Sequence, residues 1–481
     1  MGLLTHLEKP SVATNTISDG QVTCTYHDIP LIFEKLEHFF KKHKITPETG
    51  IAIEFSNETF SVLTLLYLIR QGYCFFIYPP HPHRPAPPAF CRYHLHIQNT
   101  RDTTQDSPPE QFLTLSPNPH ATTTTAPLEQ ERLYLRTSGS MGMAKIVEYH
   151  HKALLANAEQ CVDRFQLTAT DNVFLPVPIF HMYGLGAGLL PALSANANIA
   201  LQDKTNIFRY LAVDKQFKPN SVFLTPTLCQ LLVKGCQTPR HYRLIVSAGD
   251  KMPKTLFTAV EEKFGLLVNL YGSTEMGAVA TSWLSDPLEK RASGYLRPLP
   301  SITASVPEPA THSPPSENST TGELHLQYSY GFNRYVDEYA QGLSNAEQGQ
   351  RGFKTGDLAS FYPDDYLVIW GRCDHSINRR GYLVIFAEIE KAIESLTGIE
   401  KAVIVPIEQE NAQGQGICAY CTLAAENTFT PQQIRDSCFT ILPNYAVPDE
   451  INILTTMPLL PSGKVDRQAL MQQSKLAVIS P

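Results

Sequence analysis

Four stretches of this chain combine residue types that can handle an anion. In the first, Thr137, Ser138, Gly139, Ser140, Met141, Gly142, Met143, Ala144 and Lys145 follow one another. Small hydroxyls and glycines let backbone N–H groups and side-chain donors close around phosphate oxygens, and a terminal lysine adds a compact positive charge. The pattern is not the Walker loop, which needs G-x-x-x-x-G-K-[ST], and taken alone it reads equally as a flexible turn. In the second, an apolar run leads into Asn269, Tyr271, Gly272, Ser273, Thr274 and Glu275. An aromatic ring can stack on a base, a threonine hydroxyl can donate to a phosphate and a carboxylate can hold a magnesium ion. The plain alternative is a strand end with a turn and a capping threonine. The third stretch sets Asp357, in FKTGDL, before Arg372, in GRCD. An aspartate can accept both hydroxyls of a ribose, and an arginine nearby can reach ribose or phosphate. The fourth is PSGKVDR, where Lys464 occupies a turn and would by itself be a solvated lysine.

In this order and at these separations, TSGS-x-G-x-x-K, YGSTE, KTGDL, GRCD followed by GY and EIE, and PSGKVDR resemble the adenylate-forming superfamily: acyl-CoA synthetases, firefly luciferase and peptide-synthetase adenylation domains. The resemblance covers roughly residues 45–470. It implies an enzyme that uses ATP and Mg2+ to activate a small carboxylic acid as acyl-AMP, releases pyrophosphate, and passes the acyl group to a phosphopantetheine thiol. Carboxylate and α-phosphate are both anions, so such a site must place positive charge and donors where charge develops. By the family pattern Thr137, Ser138, Gly139, Ser140, Gly142 and Lys145 would cradle the β- and γ-phosphates, Thr274 would touch the α-phosphate and Glu275 would hold the metal. Tyr271 would lie against adenine with Asn269 and Gly272 beside it and Ala248, Gly249 and Asp250 on the other side, while Asp357 and Arg372 would bind the ribose. Lys464 matches the catalytic lysine, acting with Thr274 and Glu275. Asp374 matches a hinge about which a small C-terminal domain swings, bringing Arg380, Gly381 and Tyr382 to the thiol tunnel.

The segment Pro178, Ile179, Phe180, His181, Met182, Tyr183 and Gly184 resembles the P-x-F-H-x-x-G of aryl- and fatty-acyl-CoA ligases, where amino-acid-activating relatives carry an aspartate. His181 and Gly184 are therefore candidates for the acid pocket, against the alternative of a core histidine and a glycine required by helix packing. The phosphate loop departs from the family at Met141, Met143, Ala144 and Ile146, and Asn378 stands where a lysine is common, yet the hydroxyls, glycines and Lys145 remain. About 130 residues precede the loop, so a trimmed N-terminal subdomain is expected. The leading expectation is an acyl- or aryl-CoA ligase acting on CoA. One alternative is a ligase that loads an acyl carrier protein, and another is a homologue that binds nucleotide or acyl ligand without turnover.

These residues need a scaffold, and the rest of the chain describes one. Helical spacing over 31–44 and 59–70 alternates with strand-like runs at 50–55 and 73–78, which predicts an α/β sheet. Residues 131–135 read as a strand entering the Ser/Gly turn and a helix begins near His151, giving a strand, loop, helix order around the phosphate site. The expected class is α/β, with a large multi-subdomain N-terminal domain over 1–372 and a small, mobile α+β domain over 373–481. At 481 residues, 43% hydrophobic and 18% charged, the chain can bury more than one core. A net charge of −7 without a basic stripe excludes a nucleic-acid partner. The most apolar long stretch, Tyr183 to Leu201, holds three glycines and two asparagines, so no membrane span is expected, and nothing at the N-terminus reads as a secretion signal. Ten cysteines without a framework spacing suit the cytoplasm. Cys418 and Cys421 read as buried residues on opposite faces of a strand, and His81 and His83 as part of a solvated proline-rich loop.

Overall fold

Runs such as IAI and FFI have no polar face to turn toward water, so each must be covered on both sides as a strand of a parallel sheet. The computed structural model describes residues 14–80, 86–97, 107–122, 127–137, 145–203, 205–236, 238, 240–307, 319–343, 352–379, 382–407, 416–424, 428–460 and 465–479. In it Ile51–Glu54 pairs in parallel with Phe75–Tyr78 on one side and Tyr93–Ile97 on the other. They form the centre of a seven-stranded sheet in the order Arg334–Val336, Ile146–His150, Arg132–Arg136, Phe75–Tyr78, Ile51–Glu54, Tyr93–Ile97, Leu113–Pro117. The helix Thr59–Arg70 is apolar all round and is buried at every residue from Thr59 to Ile69, whereas Ile29–Lys42 buries one face only, through Ile29, Ile32, Phe33, Leu36, Phe39 and Phe40.

A second, nine-stranded sheet runs Arg297–Pro298, Gly277–Thr281, Gly265–Ser273, Tyr242–Ser247, Ser221–Leu224, Asn172–Leu175, Asn198–Leu201, Thr16–Ser18, Thr23–Thr25. Its interior pairs are parallel and its outer pairs antiparallel. Helices between these strands supply the core against Phe174, Val222, Leu224, Ile245 and Leu267.

The chain divides into two compact units, Met1–Ile302 with Gln327–Arg351, and Thr303–Leu326 with Gly352–Pro481. The second contains most of a four-stranded sheet in the order Ile302–Ser305, Thr320–Tyr328, Phe353–Tyr362, Tyr366–Arg372, whose last three strands pair antiparallel, and the hairpin Ser376–Arg379 with Tyr382–Ile385. It also has a three-stranded sheet of Ile399–Ile407, Gly416–Leu423 and Glu450–Ile453 with the helices Phe386–Glu394, Pro431–Ile441 and Arg467–Ile479. The expected α/β class, with a large N-terminal and a small C-terminal domain, is what is found. Cys418 and Cys421 are both buried and face opposite cores of this small sheet, so burial pushes their thiols up to about 11 and about 12. Among the described residues no helix is long and apolar enough to cross a membrane.

Candidate active site

Because the interior strands of the nine-stranded sheet are parallel, their C-terminal ends share one edge. The chain steps from Asn172–Leu175 out to Asn198–Leu201, then crosses back to Ser221–Leu224 on the other side and continues to Tyr242–Ser247 and Gly265–Ser273. Such a reversal opens a crevice at the carboxyl ends of the strands, where α/β sheets bind ligands. The segments that leave these ends are residues 177–183, Thr225, Ala248 to Asp250, and the turn after Ser273. Motifs scattered over a hundred residues of sequence are thus brought to neighbouring strand ends.

Ser247 lies opposite Asn269 in the ladder, and Ala248 continues it by donating to the Leu224 carbonyl at 3.3 Å. Gly249, at φ +96°, turns the chain away, and the exposed Asp250 accepts the Lys251 N–H at 2.8 Å. The Asn269 amide donates to the Arg291 carbonyl at 3.3 Å, so that side chain serves the fold. Tyr271 is half-buried opposite Ala280. A Cβ at Gly272 would stand 2.3 Å from the Gly277 carbonyl, so this hairpin closes only around a glycine. Ser273 Oγ accepts the Met276 N–H at 3.1 Å, which rounds the turn and leaves Thr274 and Glu275 half-buried within it.

That turn is held from the seven-stranded sheet by two tyrosines. Tyr149 donates its hydroxyl to the Thr274 carbonyl at 3.0 Å, and Tyr335 donates to Glu275 Oε1, also at 3.0 Å. Their strands are antiparallel neighbours, with Tyr335 opposite Val147. The Phe332 N–H adds a bond to the Glu275 carbonyl at 2.8 Å. Between them the buried Glu148 accepts from Tyr134, Asn333 and Arg334, fixing the segment that carries Tyr335. Burial and the Glu275 carboxylate push the Tyr149 hydroxyl far above its ordinary pKa, so it stays a donor. Lys145 Nζ lies over the Tyr335 ring, 4.7 Å from its centroid. Lys145, Tyr335 and Glu275 therefore form one contiguous group, and neither tyrosine stands out in the sequence.

The loop that ends in Lys145 is framed differently from expectation. It joins Arg132–Arg136 to a second strand, Ile146–His150, in the antiparallel register Arg136 with Ile146, and the helix His151–Phe165 starts only after that strand. The order is strand, loop, strand, helix, because the alternation in IVEYH favours a returning strand over a helix start. Thr137 N–H donates to the Lys145 carbonyl at 2.8 Å and Lys145 N–H to Thr137 Oγ1 at 3.1 Å, closing the neck of the loop. Ser138, Gly139, Ser140 and Gly142 lie outside the described residues, as do His81, His83, Gly381 and Lys464.

On the acid-pocket segment, His181 is exposed and packs its ring against Phe180 at 4.5 Å, so it is not a core histidine. Gly184 is the second residue of the π-helical turn Tyr183–Leu189 and is buried there; a Cβ would stand 2.2 Å from the Pro178 carbonyl, so close backbone approach is what requires the glycine. The segment is anchored at both ends. Tyr183 Oη lies 3.0 and 2.8 Å from the carbonyls of Leu224 and Val246. Asn57, also absent from the sequence-derived candidates, donates to the carbonyls of Leu175 and Val177 at 3.1 and 2.8 Å and accepts the Ile179 N–H at 3.0 Å.

In the second unit, Asp357 and Arg372 are register partners on one hairpin, with Arg372 Nη1 3.5 Å from Asp357 Oδ1 and 2.7 Å from the Thr355 carbonyl. Gly356, at φ +69°, leaves room for the guanidinium, since a Cβ would stand 2.5 Å from Nη2. Asp374 follows directly in the turn Cys373–His375. Around Lys464 the flanks are fixed: Leu459 bridges Val465, the Asp466 N–H reaches the Pro458 carbonyl, and Arg467 donates to the Ile404 carbonyl at 2.6 Å and to Glu390 at 2.8 Å. The EIE and VDR motifs are thus two sides of one tether.

The family model described as AMP-binding enzyme matches residues 94–336, and that of the AMP-binding enzyme C-terminal domain matches residues 388–464. A probable CoA ligase of Humulus lupulus is 26% identical over 72% of this chain and 64% of its own length. Tyrocidine synthase 3 of Brevibacillus parabrevis is 28% identical over 69% of this chain but 5% of its own. The chain thus spans less than two thirds of these curated relatives. In fold it is similar to ATP-bound MatB from Rhodopseudomonas palustris (TM-score 0.81, 17% identity, covering 98% of this chain and 99% of that one). It is also similar to o-succinylbenzoate CoA synthetase from Bacillus subtilis in complex with its acyl-adenylate intermediate (TM-score 0.78, 18% identity, 98% and 97%). Matching over half its length, with the C-terminal domain following in sequence, this chain belongs to the AMP-binding enzyme family.

Proposed function

We propose that this protein is an AMP-forming acid–thiol ligase, activating a small carboxylic acid with ATP and transferring the acyl group to the phosphopantetheine thiol of CoA. The observation that bears most on this reading is the turn carrying Thr274 and Glu275, held at the switch-point edge by Tyr149 and Tyr335 with Lys145 against the same ring. Glu275 is half-buried and has a neutral hydroxyl on one oxygen, and among the described residues no cation pairs with it. Such a carboxylate fits Mg2+, which when bound would offset charge on the phosphates. Thr274 would donate to the α-phosphate, Tyr271 would lie along adenine beside Ala248 to Asp250, and Lys145 would hold the departing phosphates with the loop behind it. Asp357 and Arg372 would take the ribose, and Lys464 would neutralise charge between carboxylate and α-phosphate. His181 would border the acid. No ammonium-pairing carboxylate stands in that segment, which favours a plain acid over an amino acid.

A carrier protein in place of CoA is the second reading, favoured by the peptide synthetases among the relatives. The ten cysteines, all of them thiols, accord with action in a reducing cytoplasm. The test is acid-dependent ATP–pyrophosphate exchange over pooled aryl, short-, medium- and long-chain acids, with Lys464→Ala as the blank. Exchange with one pool that disappears in the variant supports adenylation and identifies the acid class. Silence across every pool with ATP binding intact would overturn it in favour of a non-catalytic binding protein. Transfer assays with CoA and with a carrier protein then separate the two acceptors.

A further inference from the structure

Away from these strand ends, the sequence YHLHI of strand Tyr93–Ile97 puts His94 and His96 on one face, because side chains two apart in a strand point the same way. The neighbouring parallel strand ends in Glu54, directly opposite His96, and the small Ala52 stands opposite His94. Glu54 Oε2 lies 2.8 Å from His96 Nδ1 and 3.9 Å from His94 Nε2, and one donor atom of each residue falls within 4.8 Å of the others. Tetrahedral coordination at 2.0–2.1 Å sets donors about 3.3 Å apart, which lies between the two distances from Glu54 Oε2 to the histidine nitrogens.

A His96 to Glu54 hydrogen bond accounts for two of the three residues. It does not account for His94, whose side chain is 9% exposed and whose Nε2 is buried among the described residues with no hydrogen-bond partner, directed toward Glu54. Buried ring nitrogens are ordinarily paired.

We propose that Glu54, His94 and His96 form a binding site for a divalent transition-metal cation of the zinc type, separate from the Mg2+ expected at Glu275. Two imidazoles and a carboxylate suit zinc and its neighbours far better than magnesium, with the fourth position left to water. Glu54 is followed three residues later by Asn57, which clamps residues 175–179, so the cation would brace the strand from which that clamp springs.

The full chain, stripped with a chelator, is titrated with Zn2+ against a chromophoric competitor, and Co2+ is added separately for its visible d–d bands. One equivalent of Zn2+ is expected, with tetrahedral Co2+ bands, unaffected by millimolar Mg2+, and with a Tm that rises on Zn2+ addition. His94→Gln and His96→Gln are each expected to lower the affinity by about 100-fold or more, and to abolish the Tm rise, while circular dichroism reports on their folding. His81→Gln with His83→Gln is expected to change nothing. No saturable binding to the wild type, or binding that survives in folded His94→Gln and His96→Gln or departs with His81 and His83, would overturn the site. None of these readouts depends on ligase activity.

Discussion

Tyr335 joins two functions in one side chain: its hydroxyl occupies one oxygen of Glu275 and its ring supports Lys145. Tyr335→Phe keeps the ring and removes the donor, so we expect acid-dependent exchange to fall about tenfold, the loss of one hydrogen bond to a charged group, with a higher Mg2+ requirement and little change in Tm. Nothing in the sequence points to this tyrosine. It lies 60 residues beyond Glu275, in FNRYV, and only the pairing of its strand with Ile146–His150 brings it there. Thr274, Glu275 and Lys145 are legible because their chemistry is compressed into short motifs, whereas Tyr149, Tyr335 and Asn57 act through tertiary contacts. Another single-residue consequence is acid sensitivity. Burial lowers the pKa of His151 from 6.5 to about 3, and burial with His96 lowers that of His94 to about 4. The unfolded chain therefore binds more protons below pH 6.5, and this stabilisation, complete above that value, is lost as pH falls toward 4. His151→Leu should make the fall in unfolding free energy shallower by up to about 1.4 kcal/mol per pH unit there. Denaturant titrations between pH 7 and pH 4 measure it, and an unchanged slope would refute the assignment.

Elements that the sequence marks by strong periodicity appear close to where it places them, such as the helices Ile29–Lys42 and Thr59–Arg70 and the strands Ile51–Glu54 and Phe75–Tyr78. The strand Ile146–His150 is not separable from the helix after it by pattern alone, because five residues give too short a window and its partner is Arg132–Arg136 across the loop. At this scale the hairpin of Asp357 and Arg372 makes its own prediction. Gly356→Ala imposes a side chain at φ +69° and pushes on Arg372, so the guanidinium must leave the Thr355 carbonyl. We expect the KM for ATP to rise about tenfold, a local strain of about 1–2 kcal/mol, with the KM for the acid little affected. Equal changes in both would argue against a ribose role for this hairpin. Similarly, Gly184→Ala meets the Pro178 carbonyl backbone to backbone and should destabilise the chain by about 3 kcal/mol or more, read as a drop in the denaturant midpoint.

At the scale of the molecule, the compact units assign the strands of 303–326 and 352–372 to the C-terminal portion, while the hinge reading would divide function at Asp374. A proline there restricts the backbone. If the protein has the proposed activity and alternates between two arrangements, Asp374→Pro should leave pyrophosphate exchange within about twofold and lower thioester formation from preformed acyl-AMP by about tenfold or more. Thioester formation at the wild-type rate would refute the hinge. Asn57 has a consequence of a different kind. Its three hydrogen bonds grip the main chain of Leu175, Val177 and Ile179 and no side chain of the segment that leads to His181. Those three bonds therefore do not depend on which side chains residues 175, 177 and 179 carry. In a library that varies Asn57 together with Phe180 and His181, Asn57 should be the position that tolerates no replacement, while the frame under the other two stays unaltered.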